Sequence, residues 1–361
     1  MCRKGRRMAS QIDIIIITYD ARDKLERCLR SIVRNTGGLS YRITVVDNGC
    51  TDGTSGFLNI YHRKNKYVDI IRSDKNLGFS GGANIALKNT RNELICLMDD
   101  DVEVTGGWLR ELRREIKARP DAGIVGCKIL SGDGRIWSAD YRIRLLNSIG
   151  IGEIDRGQRD YIKECDALVG PCWLMRRRIL DKVGYFDERF FPCQNEDIDY
   201  CLRTRLAGYK IVYDGRARII HHHLFRDGGT AQNHRNRQRF LRKWGKGLLR
   251  FPLKDSEPAD RHMANGIDHL EMGDFKKALD EFRKMGRRDK RFLEPAYIGT
   301  ALAGMHEYGK AVEQFKEAIY SNPSNMGAHH RLALIYKKMG LVKKARDAAA
   351  RTFDFVTSRS A

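Results

Sequence analysis

Long hydrophobic runs are missing from this chain. Among its 361 residues no apolar stretch approaches the ~18–20 needed to cross a bilayer as a helix. The β-branched run from Ile12 to Ile17, broken by Asp13, has the length of a buried strand. The N-terminal residues 1–10 carry Arg3, Lys4, Arg6 and Arg7 with no apolar core behind them, so they read as a basic tail and not a secretory signal. None of the nine cysteines stands in a C-x-x-C pair, which argues against a zinc ribbon and for reduced thiols in the cytoplasm. A small disulfide scaffold and a disordered tail are both excluded by length and by a 42% hydrophobic composition.

Acid is also missing locally. None occurs between Asp227 and Asp255, where Arg235, Arg237, Arg239, Arg242, Lys243, Lys246 and Arg250 are interleaved with Phe240, Leu241, Trp244, Leu248, Leu249 and Phe251. Over the whole chain 67 basic residues face 46 acidic ones, a formal charge of +21, with +16 in the first 253 residues and +5 in the rest. Such a charge calls for an anionic partner. No zinc finger, RNA-recognition consensus or helix-turn-helix pattern accompanies it, so nucleic acid is not the expected partner. Diphosphate ligands, anionic glycans and an anionic membrane surface all suit it, the last by peripheral contact at the inner face of the membrane. Residues 234–250 read equally as a solvated basic helix.

What is present is an alternation of strand and helix signals. Ile12–Thr18 predicts a buried strand, and Leu25, Cys28, Leu29, Ile32 and Val33 recur at helical spacing. Ile43–Val46, Val68–Ile71, Leu94–Met98 and Gly123–Cys127 predict further strands, with helices from about Gly82 and over Trp108–Ile116. This order predicts an α/β, doubly wound and mainly parallel sheet, whose ligands bind at the carboxyl ends of strands. Asp47, Asn76 and Asp99–Asp101 then share one edge.

The last hundred residues repeat. Phe275, Tyr308 and Val342 are 33 and 34 residues apart, as are Ala278, Ala311 and Ala345. This period, with small residues at helix contacts, resembles the tetratricopeptide repeat and implies an all-α array. The expected domains are 11–225 (α/β), a basic linker at 226–259 and a repeat domain at 260–361.

Several clusters carry chemistry. Three adjacent carboxylates, Asp99, Asp100 and Asp101, repel one another unless a divalent cation such as Mg²⁺ or Mn²⁺ offsets them; an acidic helix-capping loop is the plain alternative. Asn76-Leu-Gly78-Phe-Ser-Gly81-Gly82-Ala-Asn84 sits between strand and helix, where glycines and free N–H groups suit close approach of an anion. Asp47 opens the D-N-G-C-T-D-G-T turn and could accept the imide N–H of a uracil or thymine ring, whereas Asp52 suits a helix cap. Glu196, Asp197 and Asp199 open an amphipathic helix, where a carboxylate can serve as general base towards a hydroxyl. Strand alternation puts His221 and His223 on one face and His222 on the other.

The order of these motifs from about Asp13 to His221 resembles the family 2 glycosyltransferases with the GT-A fold, especially rhamnosyltransferase-like and galactofuranosyltransferase-like members. The matching stretches are Thr18-Tyr19, D-N-G-C-T-D-G-T, N-L-G-F-S-G-G-A-N, L-M-D-D-D, and V-G-Y-F-D-E-R-F-F with E-D-I-D. The resemblance implies an inverting, metal-dependent transfer from a nucleotide-diphosphate sugar, dTDP- or UDP-linked, to a hydroxyl of a glycan, lipid-linked or protein acceptor. It implies a donor site of Thr18, Asp47, Asn76, Gly78, Gly82, Asn84, Asp99 and Asp100. It implies Mn²⁺ or Mg²⁺ on Asp99, Asp101 and His221, the last 24 residues beyond Asp197. Asp197 takes the role of base beside Glu196, and Trp173 and Asp199 line the acceptor side. The repeats imply a protein partner or self-association. The sequence departs from the family pattern in a longer Pro192–Asn195 spacer, in Cys50 and in Asp20. The competing reading is a catalytically inactive glycosyltransferase-like scaffold that binds protein through its repeats.

Overall fold

The structure, a computed structural model, describes residues 12–143, 147–222, 231–248, 258–285, 294–321 and 326–357. The basic tail at 1–10, His223 and residues 226–230 and 249–257 of the basic segment lie outside the described residues. Two compact units are present. The first contains β1 (Ile12–Thr18), α1 (Arg22–Asn35), β2 (Tyr41–Asn48), α2 (Thr54–Lys64), β3 (Val68–Ser73), α3 (Gly78–Asn89) and β4 (Leu94–Asp99). The chain continues through β5 (Val102–Val104), α4 (Trp108–Ala118), β6 (Ala122–Ser131), β7 (Ile136–Ser138) and the two-residue β8 (Tyr141–Arg142), while the two-residue β9 (Asn147–Ser148) belongs to the second unit. Then follow β10 (Ile162–Cys165), β11 (Cys172–Arg176), α5 (Ile179–Val183), α6 (Glu196–Leu206), β12 (Lys210–His221) and α7 (Ala231–Leu248).

The main sheet runs β10-β12-β6-β11-β4-β1-β2-β3. β1 is buried at every position and lies parallel to β2 and β4, as a strand covered on both faces should. Asp13, the acid in that run, accepts from the Arg91 and Asn92 N–H groups and from the Asn92 amide, so its burial is satisfied. The mainly parallel expectation needs correction. β11 lies antiparallel between β4 and β6, which makes the sheet mixed. α1 turns Leu25, Cys28, Leu29 and Ile32 inward, but Val33 is 46% exposed, because 100° per residue carries it past the edge of the apolar stripe.

Register places the chemistry. Thr18 pairs with Asp47 across β1 and β2, and Ile17 pairs with Asp99 across β1 and β4, so both acids lie at one sheet edge. β5 begins one residue after Asp101 and pairs antiparallel with the end of β12, setting His221 opposite Val102. This pairing of two strands far apart in sequence delivers a histidine to the acids.

The second unit consists of α8 (Pro258–Glu271), α9 (Phe275–Lys284), α10 (Glu294–Gly304), α11 (Tyr308–Ser321), α12 (Met326–Lys338) and α13 (Val342–Thr357), together with Ile143 and residues 147–153. α9, α11 and α13 start 33 and 34 residues apart. Phe282 of α9 packs on Gly266 and Phe315 of α11 on Gly299, one period later. Ala278, Ala301, Ala311 and Ala328 sit in the core between them, small enough for close helix contact.

Gly49 carries the D-N-G turn for two reasons. Its φ is +79°, and a Cβ there would lie 2.6 Å from the Lys75 carbonyl carbon. Gly49→Ala should therefore destabilise the first unit by about 1–3 kcal/mol, read as a lower melting temperature without any ligand; an unchanged melt would refute this role.

Candidate active site

Asp99 closes β4, Asp101 precedes β5, and His221 ends β12. Their ligand-type atoms all lie within 4.8 Å of one another. His221 Nε2 is 3.0 Å from Asp101 Oδ1 and 3.8 Å from Asp99 Oδ2, and its ring packs edge-on against Trp137. His222 points the other way and meets Glu103 at 2.9 Å. Lys24, in the first turn of α1, reaches Asp101 at 3.3 Å. Nothing in the local sequence singled Lys24 out; only the packing of α1 brings it there.

The charges in this cluster are uncomfortable. Burial pushes Asp99 up to about 7, against the pull of His221 and with Asp101 and Asp100 adding repulsion. Burial likewise lifts Asp100 to about 7, against the Thr18 hydroxyl and Lys24. A hard divalent cation would relieve this, and two carboxylates with one imidazole form a donor set that fits Mn²⁺ or Mg²⁺.

The turns beside this edge are built mostly from internal bonds. Asp47 accepts from the Cys50 N–H at 3.1 Å and from the Ser55 hydroxyl, with Arg72 at 3.6 Å, and its side chain is only 3% exposed. Asp52 accepts from the Thr54 N–H and hydroxyl, but the expected cap role is corrected, because the cap position of α2 is Gly53 and Asp52 stands one residue before it. Asn48, which sequence reasoning passed over, bridges the two turns: Oδ1 accepts from Leu77 N–H, while Nδ2 donates to the Gly78 carbonyl and Asn76 Oδ1.

Two expectations for the glycine motif change. α3 starts at Gly78, so Gly82 lies inside the helix, and a Cβ there would meet Ile17 at 2.9 Å; its smallness serves packing against β1. Asn84 donates to the Phe186 carbonyl and Glu188 and accepts from the Phe186 N–H, which leaves its amide to the fold and not to a donor. Gly78, at φ +69°, keeps its edge against the Pro192 carbonyl, which also accepts from Phe79 N–H at 2.7 Å.

α6 carries the remaining acids. Asp197 accepts from Gly170 N–H at 2.9 Å and from Ile198 N–H at 2.8 Å, and burial pushes it up to about 6. Glu196 is raised well above the usual range by burial and by the neighbouring Asp197, with a further push from Asp99. The two predicted acceptor-side residues are corrected. Trp173 is buried in the sheet, donates to the Val169 carbonyl and stacks on Phe186, so it has no surface to offer. Asp199 is fully buried and bound by Arg203, Lys243 and Trp244. Neither faces an acceptor, because both point into the layer between α6 and its neighbours.

Residues 13–184 match the model for glycosyl transferase family 2. This segment is similar to the family 2 glycosyl transferases. It is 31% identical to the uncharacterized protein y4gI of Sinorhizobium fredii, over 58% of this chain and 24% of that protein. It is 25% identical to an N-acetylglucosaminyl-diphospho-decaprenol L-rhamnosyltransferase of Mycobacterium tuberculosis, over 68% of this chain and 89% of the relative. In fold it is similar to a mannosyltransferase of Pyrobaculum calidifontis in complex with GDP-Man and Mn²⁺, at TM-score 0.54 and 15% identity, covering 95% of this chain and 87% of that one. The chain spans a quarter or less of the length of the first curated relatives it matches.

The matched segment holds Asp99 and Asp101; His221 lies beyond it and joins them from the end of β12, while Asp197, also beyond it, stands on α6 and adds to the repulsion on Asp99. Mn²⁺ should raise the melting temperature of the protein, since an ion bound only by the folded state stabilises it by mass action. His221→Ala and Asp101→Asn should abolish that gain, and Glu103→Gln should keep it. A gain that survives both site substitutions would place the ion elsewhere.

Proposed function

We propose that the first unit, as a family 2 glycosyltransferase, transfers a sugar from a nucleotide-diphosphate donor to an acceptor hydroxyl with inversion at the anomeric carbon. The observation that carries this reading is the convergence of Asp99 and Asp101, from the β4–β5 turn, with His221 from the far end of β12. Those three residues would hold Mn²⁺ or Mg²⁺, which supplies Lewis-acid relief of charge on the departing diphosphate. Thr18, Asp100, Asn76 and Gly78 border the same edge and form the proposed donor side. Asp47 would meet the imide N–H of a uracil or thymine ring by exchanging its Ser55 bond. Asp197, fixed by two backbone N–H groups, takes the proton of the attacking hydroxyl. One base and one displacement require no covalent sugar–enzyme intermediate.

The donor class draws support from the solved mannosyltransferase with GDP-Man and Mn²⁺. The relative named for rhamnosyl transfer to a diphospho-decaprenol favours a dTDP-sugar and a lipid-linked acceptor, with glycan and protein acceptors as the alternatives. The helical unit, with its 33- and 34-residue period, is proposed as a tetratricopeptide-like array that binds a protein partner or a second copy. Among the described residues no helix is long and apolar enough to cross a membrane. The exposed Arg235, Arg237 and Arg242 of α7 suit peripheral contact with anionic lipid from the cytoplasmic side.

Asp197→Asn tests the assignment. Turnover should fall by roughly 10²–10⁴-fold with the donor KM unchanged, and retained turnover would remove Asp197 from the role of base. The same substitution has a signed effect on stability. A carboxyl whose proton is held more tightly in the folded state loses stabilisation as pH rises through its folded value, about 6 here. Measured in EDTA, the melting temperature of the variant relative to wild type should therefore rise between pH 5 and pH 7; a constant difference would show that burial does not burden Asp197.

A further inference from the structure

The basic, aromatic-bearing stretch after the sheet is absorbed by neither the donor site nor the ion site, yet it touches the helix that carries the acids. α7 turns Asn236, Phe240 and Trp244 inward at spacings of four residues, while Arg235, Arg237 and Arg242 stay exposed. Asn236 is fully buried and its Nδ2 donates to three carbonyls in a row of turns, Phe190 at 2.9 Å, Phe191 at 3.1 Å and Cys193 at 2.8 Å. Its Oδ1 accepts from Arg239 at 2.7 Å, which fixes which way the amide faces. The turn it grips runs straight into α6 and holds Gln194 and Asn195 at φ of 84° and 70°. Such φ values are unfavourable for residues other than glycine and persist only where neighbours hold them.

A second grip lies one turn into α6. Lys243 meets Asp199 at 2.7 Å and Asp187 at 3.0 Å, and Trp244 Nε1 donates to Asp199 at 2.8 Å. Asp199 is two residues beyond Asp197, and its buried charge is met by these partners together with Arg203 of its own helix at 2.9 Å. The gripped turn also receives the Phe79 N–H on Pro192, so the start of α3 and the start of α6 are tied to one loop.

We infer that α7 is a positioning element for the acid-bearing helix: Asn236 sets the 190–195 turn, and Lys243 with Trp244 anchors Asp199, so that Asp197 is presented to the ion site. The residues of α7 act through α6 and touch no substrate. The long Pro192–Asn195 spacer, the main departure of this sequence from the family pattern, is the segment that needs this support. The inference rests on the proposed transfer reaction for its functional half and on the fold alone for its mechanical half.

Two conservative variants separate these halves. Asn236→Asp keeps the shape and loses the donating amide; Trp244→Phe keeps the ring and loses the N–H. In the full chain with Mn²⁺, hydrogen–deuterium exchange of the 190–200 segment should rise at least tenfold in both, with exchange of β1 and β4 unchanged. With whichever of dTDP-rhamnose, UDP-glucose, UDP-N-acetylglucosamine or GDP-mannose the wild type turns over, kcat should fall 10- to 100-fold while the donor KM and the Mn²⁺-induced thermal shift stay within twofold. A purely structural role would move KM and the ion response together with kcat. Wild-type exchange in both variants, or wild-type kcat in a variant that exchanges faster, overturns the inference. If one variant does not fold, the other and Lys243→Gln decide by the same readouts. A wild type that turns over none of these donors refutes the transfer reaction instead, and exchange still decides whether α7 holds α6.

Discussion

Mutual repulsion among the carboxylates at the end of β4 is the constraint around which the rest of this domain is arranged. Asp99, Asp100 and Asp101 follow one another where the sheet edge meets a closing cleft, and burial drives the first two towards neutrality. Evolution could have spread them apart; the fold instead brings His221 and Lys24 to them. The β5–β12 pairing exists to make that possible, since it leaves the acids at one residue's remove from a strand whose partner ends in histidine. In the proposed function a divalent cation would offset this cluster.

From this edge the dependence spreads outward. β1 supplies the rigid reference, paired to β2 and β4 so that Thr18, Asp47 and Asp99 end together. β11, antiparallel in the middle of the sheet, carries Gly170 at its entry and so offers the N–H that fixes Asp197. The 190–195 turn couples the start of α3 to the start of α6, and α7 grips it from outside. The large positive charge of the chain reads differently in this light. Part of the densest basic stretch is structural, since Lys243 pairs with Asp187 and Asp199.

How much of this was legible in the sequence depended on range. Strand ends and the repeat period are local patterns, so the shared edge and the 33- to 34-residue spacing followed from composition and register alone. Alternation along β12 separates His221 from His222, and their different partners, Asp101 and Glu103, show why that mattered. What failed was whatever depended on distant neighbours. Trp173 and Asp199 were placed on the acceptor side by the family resemblance, yet the Trp173 ring stacks on Phe186 and Asp199 is bound by Trp244, 45 residues on. Asn84 was claimed for a ligand and belongs to Phe186 and Glu188, over a hundred residues on. The antiparallel β11 was invisible for the same reason: strand direction is set by pairing and leaves no mark in hydropathy.

The central claim is that Asp99, Asp101 and His221 form one cation site in a sugar-nucleotide transferase. Anomalous diffraction at the manganese edge, from crystals grown with Mn²⁺ and a nucleoside diphosphate, tests it most directly. The account predicts a single strong peak within coordination distance of His221 Nε2 and a carboxylate oxygen of Asp99 or Asp101, bridged to the diphosphate. A peak elsewhere, or a diphosphate bound at this edge with no manganese among those three side chains, would contradict it.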